Sequence, residues 1–119
     1  MDIAVGRVYD PSPPGALRVL VDRLWPRGVR KDEAPWDLWL KEAAPSSALR
    51  TFYHANPEAA VEFRRRYLAE LDAPEAAAAL ERLVALARER PVVLVTATRE
   101  VERSQVPVLR EALLTRLGS

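Results

Sequence analysis

The chain has 119 residues, of which 49% are hydrophobic and 29% are charged, and its formal net charge is +1. These values are typical of a globular protein, and no apolar run approaches the roughly 20 residues that cross a bilayer, so we predict no membrane span. Zero cysteines exclude disulfides and thiolate catalysis, and a single histidine argues against a histidine-built metal site. We therefore predict no metal and no cofactor, and the charge balance gives no general attraction to nucleic acid.

The length fits one domain, which we predict to cover residues 1–119. The amino-terminal sequence MDIAVGRV has an acidic second residue and lacks a basic segment followed by an apolar one, which indicates a cytoplasmic protein. The basic residues are 16 arginines and 2 lysines, and there are 10 prolines, a composition like that of thermophiles. Most of the arginines are accordingly expected to form ion pairs at the surface.

Two runs that are apolar on both faces predict central strands, one from Leu17 to Val21 and one from Val92 to Val95. A further strand is predicted from Ile3 to Tyr9. The DPSPPG stretch that follows it is too short for a crossover helix, which slightly favours an antiparallel pairing of the first two strands. The predicted fold class is α/β: a small, mostly parallel central sheet, with a mixed sheet as the alternative, flanked by helices.

Caps and apolar spacing predict five helices in chain order. They run from Pro35 to Ala43 with Trp36, Trp39 and Leu40 on one face; from the Ser46 cap with Leu49, Phe52 and Tyr53 inward; from Asn56 and Pro57 to Leu71 over a stripe of Ala60, Phe63, Tyr67 and Leu71; from Pro74 to Glu89; and from Gln105 to Leu117 after a Ser104 cap. The charged face of the third helix carries i,i+4 pairs such as Glu62 with Arg66, which predicts a solvated, salt-bridged surface.

Polar residues follow both central strands at the point where each one ends. Asp22, Arg23 and Arg27 follow the first, in a loop whose path is defined by Pro26 and by the positive φ that Gly28 allows. Thr96, Thr98 and Arg99 follow the second. Because ligands bind outside the carboxyl ends of parallel strands, we expect these groups to meet in one crevice, where arginine forks suit a phosphate or carboxylate.

The role of Asp22 has two interpretations of equal weight: it orients a ligand, or it only closes the end of the sheet. In either case at least one arginine is expected to reach it, because an uncompensated buried carboxylate costs several kcal/mol. No catalytic residue can be assigned, and Asp22 and Glu100 are the candidates for a general base. Whether the protein is an enzyme is left open.

Four stretches resemble the short, YeaO-like members of the domain-of-unknown-function 488 family: VDRLWPRG (21–28), WLKEAAPSSALRTFYHANPE (39–58), EFRRRYLAEL (62–71) and VVLVTATREVERSQVPVLREAL (92–113). The resemblance implies a small α/β domain of the bacterial and archaeal cytoplasm with no established activity. The family's recurrent polar residues fall on Asp22, Arg23, Arg27, Lys41, Ser46, Arg50, Arg66, Tyr67 and Arg99. The resemblance thus adds Lys41 and Ser46 to the predicted ligand-binding residues.

The sequence departs from this family after the last strand. The family usually reads Tyr-Ala-Ala-Arg-Asp there and continues with a His-Asn-His cluster, whereas this chain has TATRE at 96–100 and then Arg103, Ser104 and Gln105. Histidine-dependent chemistry or metal binding elsewhere in the family therefore does not carry over to this chain by resemblance.

The function predicted first is the binding of a small anionic ligand, held by Arg23, Arg27, Lys41 and Arg99. The alternative is a non-enzymatic interaction module or homo-oligomer that pairs through the region of Trp36 and Trp39 or through the final helix. Nucleic-acid binding is a lesser alternative, and the residues that would carry it are Arg64, Arg65 and Arg66 with the neighbouring Arg50.

Overall fold

The computed structural model describes residues 3–118. Its strands are β1 (Ile3–Arg7), β2 (Leu17–Leu20), β3 (Leu38–Trp39) and β4 (Val92–Thr96), and its α-helices are α1 (Ser47–Ala55), α2 (Ala60–Glu70), α3 (Pro74–Glu89) and α4 (Val106–Leu117). Short 3-10 turns lie at Lys31–Glu33, Lys41–Ala43 and Val101–Arg103. Within this part of the chain, no helix has the length and apolarity needed to cross a membrane.

The four strands form one parallel sheet in the order β1-β4-β2-β3. The α/β class is confirmed, but the slight preference for an antiparallel first pair is wrong. Strand β4 lies between β1 and β2, and its five residues are all buried, as is typical of a central strand. The short connection over residues 8–16 therefore crosses one face of β4 without any helix.

The two faces of the sheet are covered differently. Side chains of Val19, Val21, Val92 and Leu94 face a core to which all four helices contribute. On the opposite face, Leu20, Val93 and Val95 pack against the loop over residues 22–36 and its tryptophans. This arrangement follows from strand alternation, because successive residues point to opposite faces. The tryptophan loop thus takes the place of a helix layer.

The helix predicted from Pro35 to Ala43 is wrong. Leu38 and Trp39 instead pair with Val19 and Leu20 as the edge strand β3, and the amide of Leu40 extends the pairing by donating to the carbonyl of Leu20 at 2.9 Å. Only Lys41–Ala43 is helical, as one 3-10 turn. Backbone pairing with a buried strand outweighs local helical spacing here, because it satisfies polar groups that would otherwise be buried unpaired.

The other helices largely follow their predicted caps. Ser46 caps α1 by accepting from the amide of Leu49 at 3.1 Å, and Pro74 begins α3 as predicted. The predicted Asn56 cap is wrong: its side-chain amide donates to the carbonyl of Phe52, so it closes the end of α1. Helix α2 therefore begins three residues later, at Ala60, which is exposed and does not join the predicted stripe.

Arg18 anchors the amino end of β2. Its guanidinium donates to the carbonyls of Pro35 (2.5 Å), Asp10 (2.8 Å) and Val8 (2.6 Å), and also to the hydroxyl of Ser12. These acceptors belong to the loop after β1 and to the segment before β3. One side chain thus ties both connections to the central part of the sheet.

Candidate functional site

The carboxyl ends of β2 and β4 lie side by side, because the two strands are parallel and Leu20 is paired with Val95. Asp22 comes two residues after β2 and bridges this gap. Its Oδ1 accepts from the hydroxyl of Thr96 at 2.6 Å and from the side-chain Nε2 of Gln105 at 2.9 Å. Its Oδ2 accepts from the backbone N–H of Ala97 at 2.8 Å. Asp22 therefore joins the ends of two strands to the start of α4.

The prediction that an arginine reaches Asp22 is wrong. Among residues 3–118 its side chain forms no ion pair, and its three partners are neutral donors. Neutral donors suffice because the side chain is only partly buried, and hydrogen bonds to a charged carboxylate are stronger than those between neutral groups. Two of these donors come from residues after β4 or at the start of α4, which the sequence did not single out as partners.

Arg23 turns away from Asp22 toward the loop before α1. Its Nε donates to the carbonyl of Pro45 at 2.9 Å, and Nη2 donates to the carbonyl of Ala44 at 3.1 Å. Tyr67, on α2, donates its hydroxyl to the carbonyl of Ala43 in the same segment before α1. Burial, and secondarily the carboxylate of Glu70, raises the pKa of Tyr67 well above its usual range, so the hydroxyl stays a donor.

Beside Asp22 the structure has an open cavity of about 440 Å³, which we call the binding crevice. Its volume falls within the range typical of small-molecule sites. The lining comprises Asp22, Arg23, Leu24, Trp25, Pro26, Pro45, Arg50, Tyr53, His54, Pro57, Phe63, Ala97, Thr98, Arg103, Ser104 and Gln105.

The charges in the binding crevice favour an anion. Its lining has one carboxylate, Asp22, whose oxygens are already bonded to protein donors, and three guanidiniums. Arg50 is partly buried, yet within the described chain its side chain has no hydrogen bond or ion pair. His54 lies one helical turn further along α1, so the two basic groups share a face of the helix. Arg103 is an exposed residue, and within residues 3–118 its one ion pair is with Glu100, at 3.2 Å.

The structure brings only some of the predicted ligand-binding residues together. Asp22, Arg23 and Thr98 line the binding crevice, and buried Thr96 lies beneath it through its bond to Asp22. Arg27 and Arg99 are exposed and are not part of the lining.

Lys41, Ser46 and Glu100 also lie outside the binding crevice. The ammonium of Lys41 sits 5.6 Å from the ring of Trp39, and Ser46 donates to Glu70 through both its N–H (2.8 Å) and its hydroxyl (2.6 Å). Glu100 meets the crevice only indirectly, as the partner of Arg103. The ligand-binding role of all the predicted residues stays a prediction, and so does a catalytic role for Asp22 or Glu100.

Several lining residues were missed as site residues, and their signals in the sequence differ. Arg50 was noted in the family resemblance, but it comes from a helix far along the chain from either strand end. His54 is the one histidine of the chain. Gln105 was read only as the start of the last helix, although its side chain donates to the carbonyl of Val21 and to Asp22. Across residues 3–118, no cluster of histidine, aspartate and glutamate could hold a metal ion.

The fold and site define a small α/β protein with an all-parallel sheet and a crevice at the carboxyl ends of its two central strands. The chain belongs to the DUF488-N3i family, described as the inactive DUF488-N3 subclade, and the family's profile matches residues 2–119. The resemblance inferred from the sequence motifs is thereby confirmed.

Two relatives illustrate the family. An uncharacterised protein of Mycobacterium tuberculosis is 46% identical over 112 residues, which cover 93% of this chain and 92% of the relative. The uncharacterised protein YeaO of Escherichia coli is 38% identical over 114 residues, covering 95% of this chain and 97% of the relative. No solved structure matches the chain. The names of these relatives assign no activity.

Proposed function

We propose that the protein binds a small anionic ligand, carrying a phosphate or carboxylate group, in the binding crevice, and that it does so without catalysing a reaction. The observation that carries the proposal is Arg50, a partly buried residue that lines the crevice and whose guanidinium has no anionic partner among residues 3–118. A guanidinium offers a planar fork of donors that matches both phosphate and carboxylate.

The surroundings of the two candidate bases, Asp22 and Glu100, support binding without catalysis. The Asp22 carboxylate already accepts hydrogen bonds from Thr96, Ala97 and Gln105, which gives it a structural role at the ends of β2 and β4. Glu100 is exposed and does not line the crevice. The family's description as an inactive subclade agrees with this interpretation.

The arginines of α2 are less suited to an anion than Arg50. Arg65 and Arg66 both pair with Glu62 at 2.6 Å, and Arg64 pairs with Glu111 on α4. A phosphate would have to displace these carboxylates before it could bind. The pairing of these arginines therefore favours anion binding in the binding crevice and disfavours the binding of a nucleic-acid backbone along α2.

The experiment is a thermal-shift measurement with inorganic phosphate, phosphorylated metabolites and di- and tricarboxylates, using wild type, Arg50→Gln and the control Arg82→Gln. Arg82 is exposed on α3 outside the crevice. A ligand present at 100 times its Kd stabilises the native state by about 2.7 kcal/mol. We expect at least one anion to raise the melting temperature of wild type and Arg82→Gln, but much less that of Arg50→Gln. No shift with any anion, or equal shifts in all three proteins, contradicts the proposal.

A further inference from the structure

We propose that the ligand of the binding crevice combines an aromatic ring with its anionic group, as a nucleoside monophosphate does. This inference rests on the proposed function, because it adds a second recognition element to the same site. The cationic groups alone would account for a bare phosphate. Much of the remaining lining is apolar or aromatic, and a bare phosphate would leave that part of the crevice uncovered.

The first argument is a rigid aromatic side chain at the crevice. The ring of Trp25 packs edge-on against Trp36 and Trp39, with centroids 4.8 Å and 5.4 Å away. Its indole N–H donates to the carbonyl of Val29 at 2.6 Å. A ring held by two neighbours and a hydrogen bond loses little conformational entropy when a ligand packs on it. Trp25 is thus preorganised for a flat partner.

A second aromatic group comes from α1. Tyr53 lines the crevice and stacks on Phe63 with a centroid distance of 4.1 Å and an interplanar angle of 12°. Its hydroxyl has no hydrogen-bond partner in the part of the chain that the structure describes. The side chain therefore presents both an apolar ring and a free polar group, the combination that suits a heteroaromatic ring.

Exposed apolar surface at the mouth of the crevice is the third argument. Leu24 is 59% exposed, and the exposed Pro57 also belongs to the lining. Covering such a surface removes apolar area from water, which is favourable, and an inorganic anion cannot provide that cover. A ring attached to the anion would cover it while the anion remains at Arg50.

The close spacing of basic and aromatic groups on α1 favours one kind of ligand. Arg50, Tyr53 and His54 belong to one helix, so the basic and aromatic groups of this wall are neighbours within a turn of each other. A ring and an anion separated by only a few bonds would therefore contact both. A nucleoside monophosphate has this form, with its sugar as the spacer.

The test compares dissociation constants for AMP, ribose 5-phosphate and inorganic phosphate by isothermal titration calorimetry. Wild type is measured beside Leu24→Ser and the control Val61→Ser, which removes an apolar side chain that is 86% exposed on α2, outside the crevice. We expect AMP to bind at least tenfold more tightly than ribose 5-phosphate. Leu24→Ser is expected to reduce this ratio severalfold, whereas Val61→Ser leaves it unchanged.

The outcomes separate the inference from the proposed function. Equal affinities for AMP and ribose 5-phosphate overturn the aromatic requirement and leave anion binding in place. Binding of AMP with the same ratio in Leu24→Ser also overturns it, because the apolar wall then plays no part. Failure of all three phosphates to bind the folded protein overturns the inference, and anion binding is then judged by the carboxylates in the thermal-shift series.

Discussion

Arg18 and Arg50, which lie near opposite ends of strand β2, play opposite roles. At the amino end, Arg18 donates to three backbone carbonyls and a hydroxyl, so its guanidinium is already hydrogen-bonded to acceptors within the protein. At the carboxyl end, Arg50 lines an open crevice with no acceptor among the described residues. The same side chain is structural where carbonyls surround it and available to a ligand where they do not. Residue type alone therefore does not identify a binding arginine.

The largest expected effect is at the amino end. Arg18→Ala leaves the carbonyls of Val8, Asp10 and Pro35 without their donor, and we expect a loss of about 3 kcal/mol in the free energy of unfolding. Urea denaturation measures it, with Arg82→Ala as the surface control at less than about 0.5 kcal/mol. A loss for Arg18→Ala no larger than that of the control would remove the distinction between the two ends.

At the carboxyl end, Asp22→Asn tests whether Asp22 is a structural bridge. An asparagine places an NH₂ group where one carboxylate oxygen now accepts, so a donor faces the amide of Ala97 or the donors at Oδ1. We expect the free energy of unfolding to fall by about 2 kcal/mol. The matched control is Asp72→Asn, at an exposed position after α2. An unchanged urea midpoint for Asp22→Asn would show that this bridge does not support the sheet.

The loop that borders the crevice depends on Tyr67. Tyr67→Phe removes the donor to the carbonyl of Ala43 and is expected to cost about 1.5 kcal/mol of stability. Tyr53→Phe is the comparison, because the hydroxyl of Tyr53 has no protein partner within residues 3–118 and its loss is expected to cost almost nothing. Thermal unfolding of the two variants measures the difference. Equal melting temperatures would contradict a structural role for the buried hydroxyl.

The smallest effect concerns the paired arginines of α2, which resemble Arg18 more than Arg50. Hydrogen bonds from Arg65 and then Arg66 lower the pKa of Glu62 from 4.5 to about 2. Because the folded-state pKa is the lower one, the stabilisation is present above about pH 4.5 and is lost as the pH falls toward 2. The stability difference between wild type and Glu62→Gln should therefore shrink from pH 5 to pH 2. Glu81→Gln, on the exposed face of α3, should show no such trend.

The sequence predicted the sheet better than the segments around it. The runs at β2 and β4 are apolar on both faces, which is a property of the residues themselves, and both proved to be central strands. The helix predicted from Pro35 to Ala43 was wrong. Trp36, Trp39 and Leu40 fit a helical spacing, but the backbone there pairs with β2 as a strand. That pairing is a long-range event which local spacing does not encode.

The candidate site was predicted in part for a similar reason. Parallel strands bring their carboxyl ends together, so the location of Asp22 beside Thr96 could be inferred. The directions of loop side chains such as Arg27 and Arg99 could not be inferred from the sequence, because they depend on tertiary packing. Arg50 enters the crevice from α1, a helix far from both strand ends in the sequence, and only the tertiary fold brings it there.

The most direct test of the account is a titration of the ¹⁵N-labelled protein with AMP, followed by NMR. We expect the largest amide shifts at residues lining the binding crevice, among them Arg50, Thr98 and Arg103, and none around Arg18 at the other end of β2. Arg50→Gln should reduce the affinity at least tenfold, whereas Arg82→Gln should not. Shifts concentrated on the arginine face of α2, or unchanged affinity in Arg50→Gln, would contradict the assignment of the crevice as the anion site.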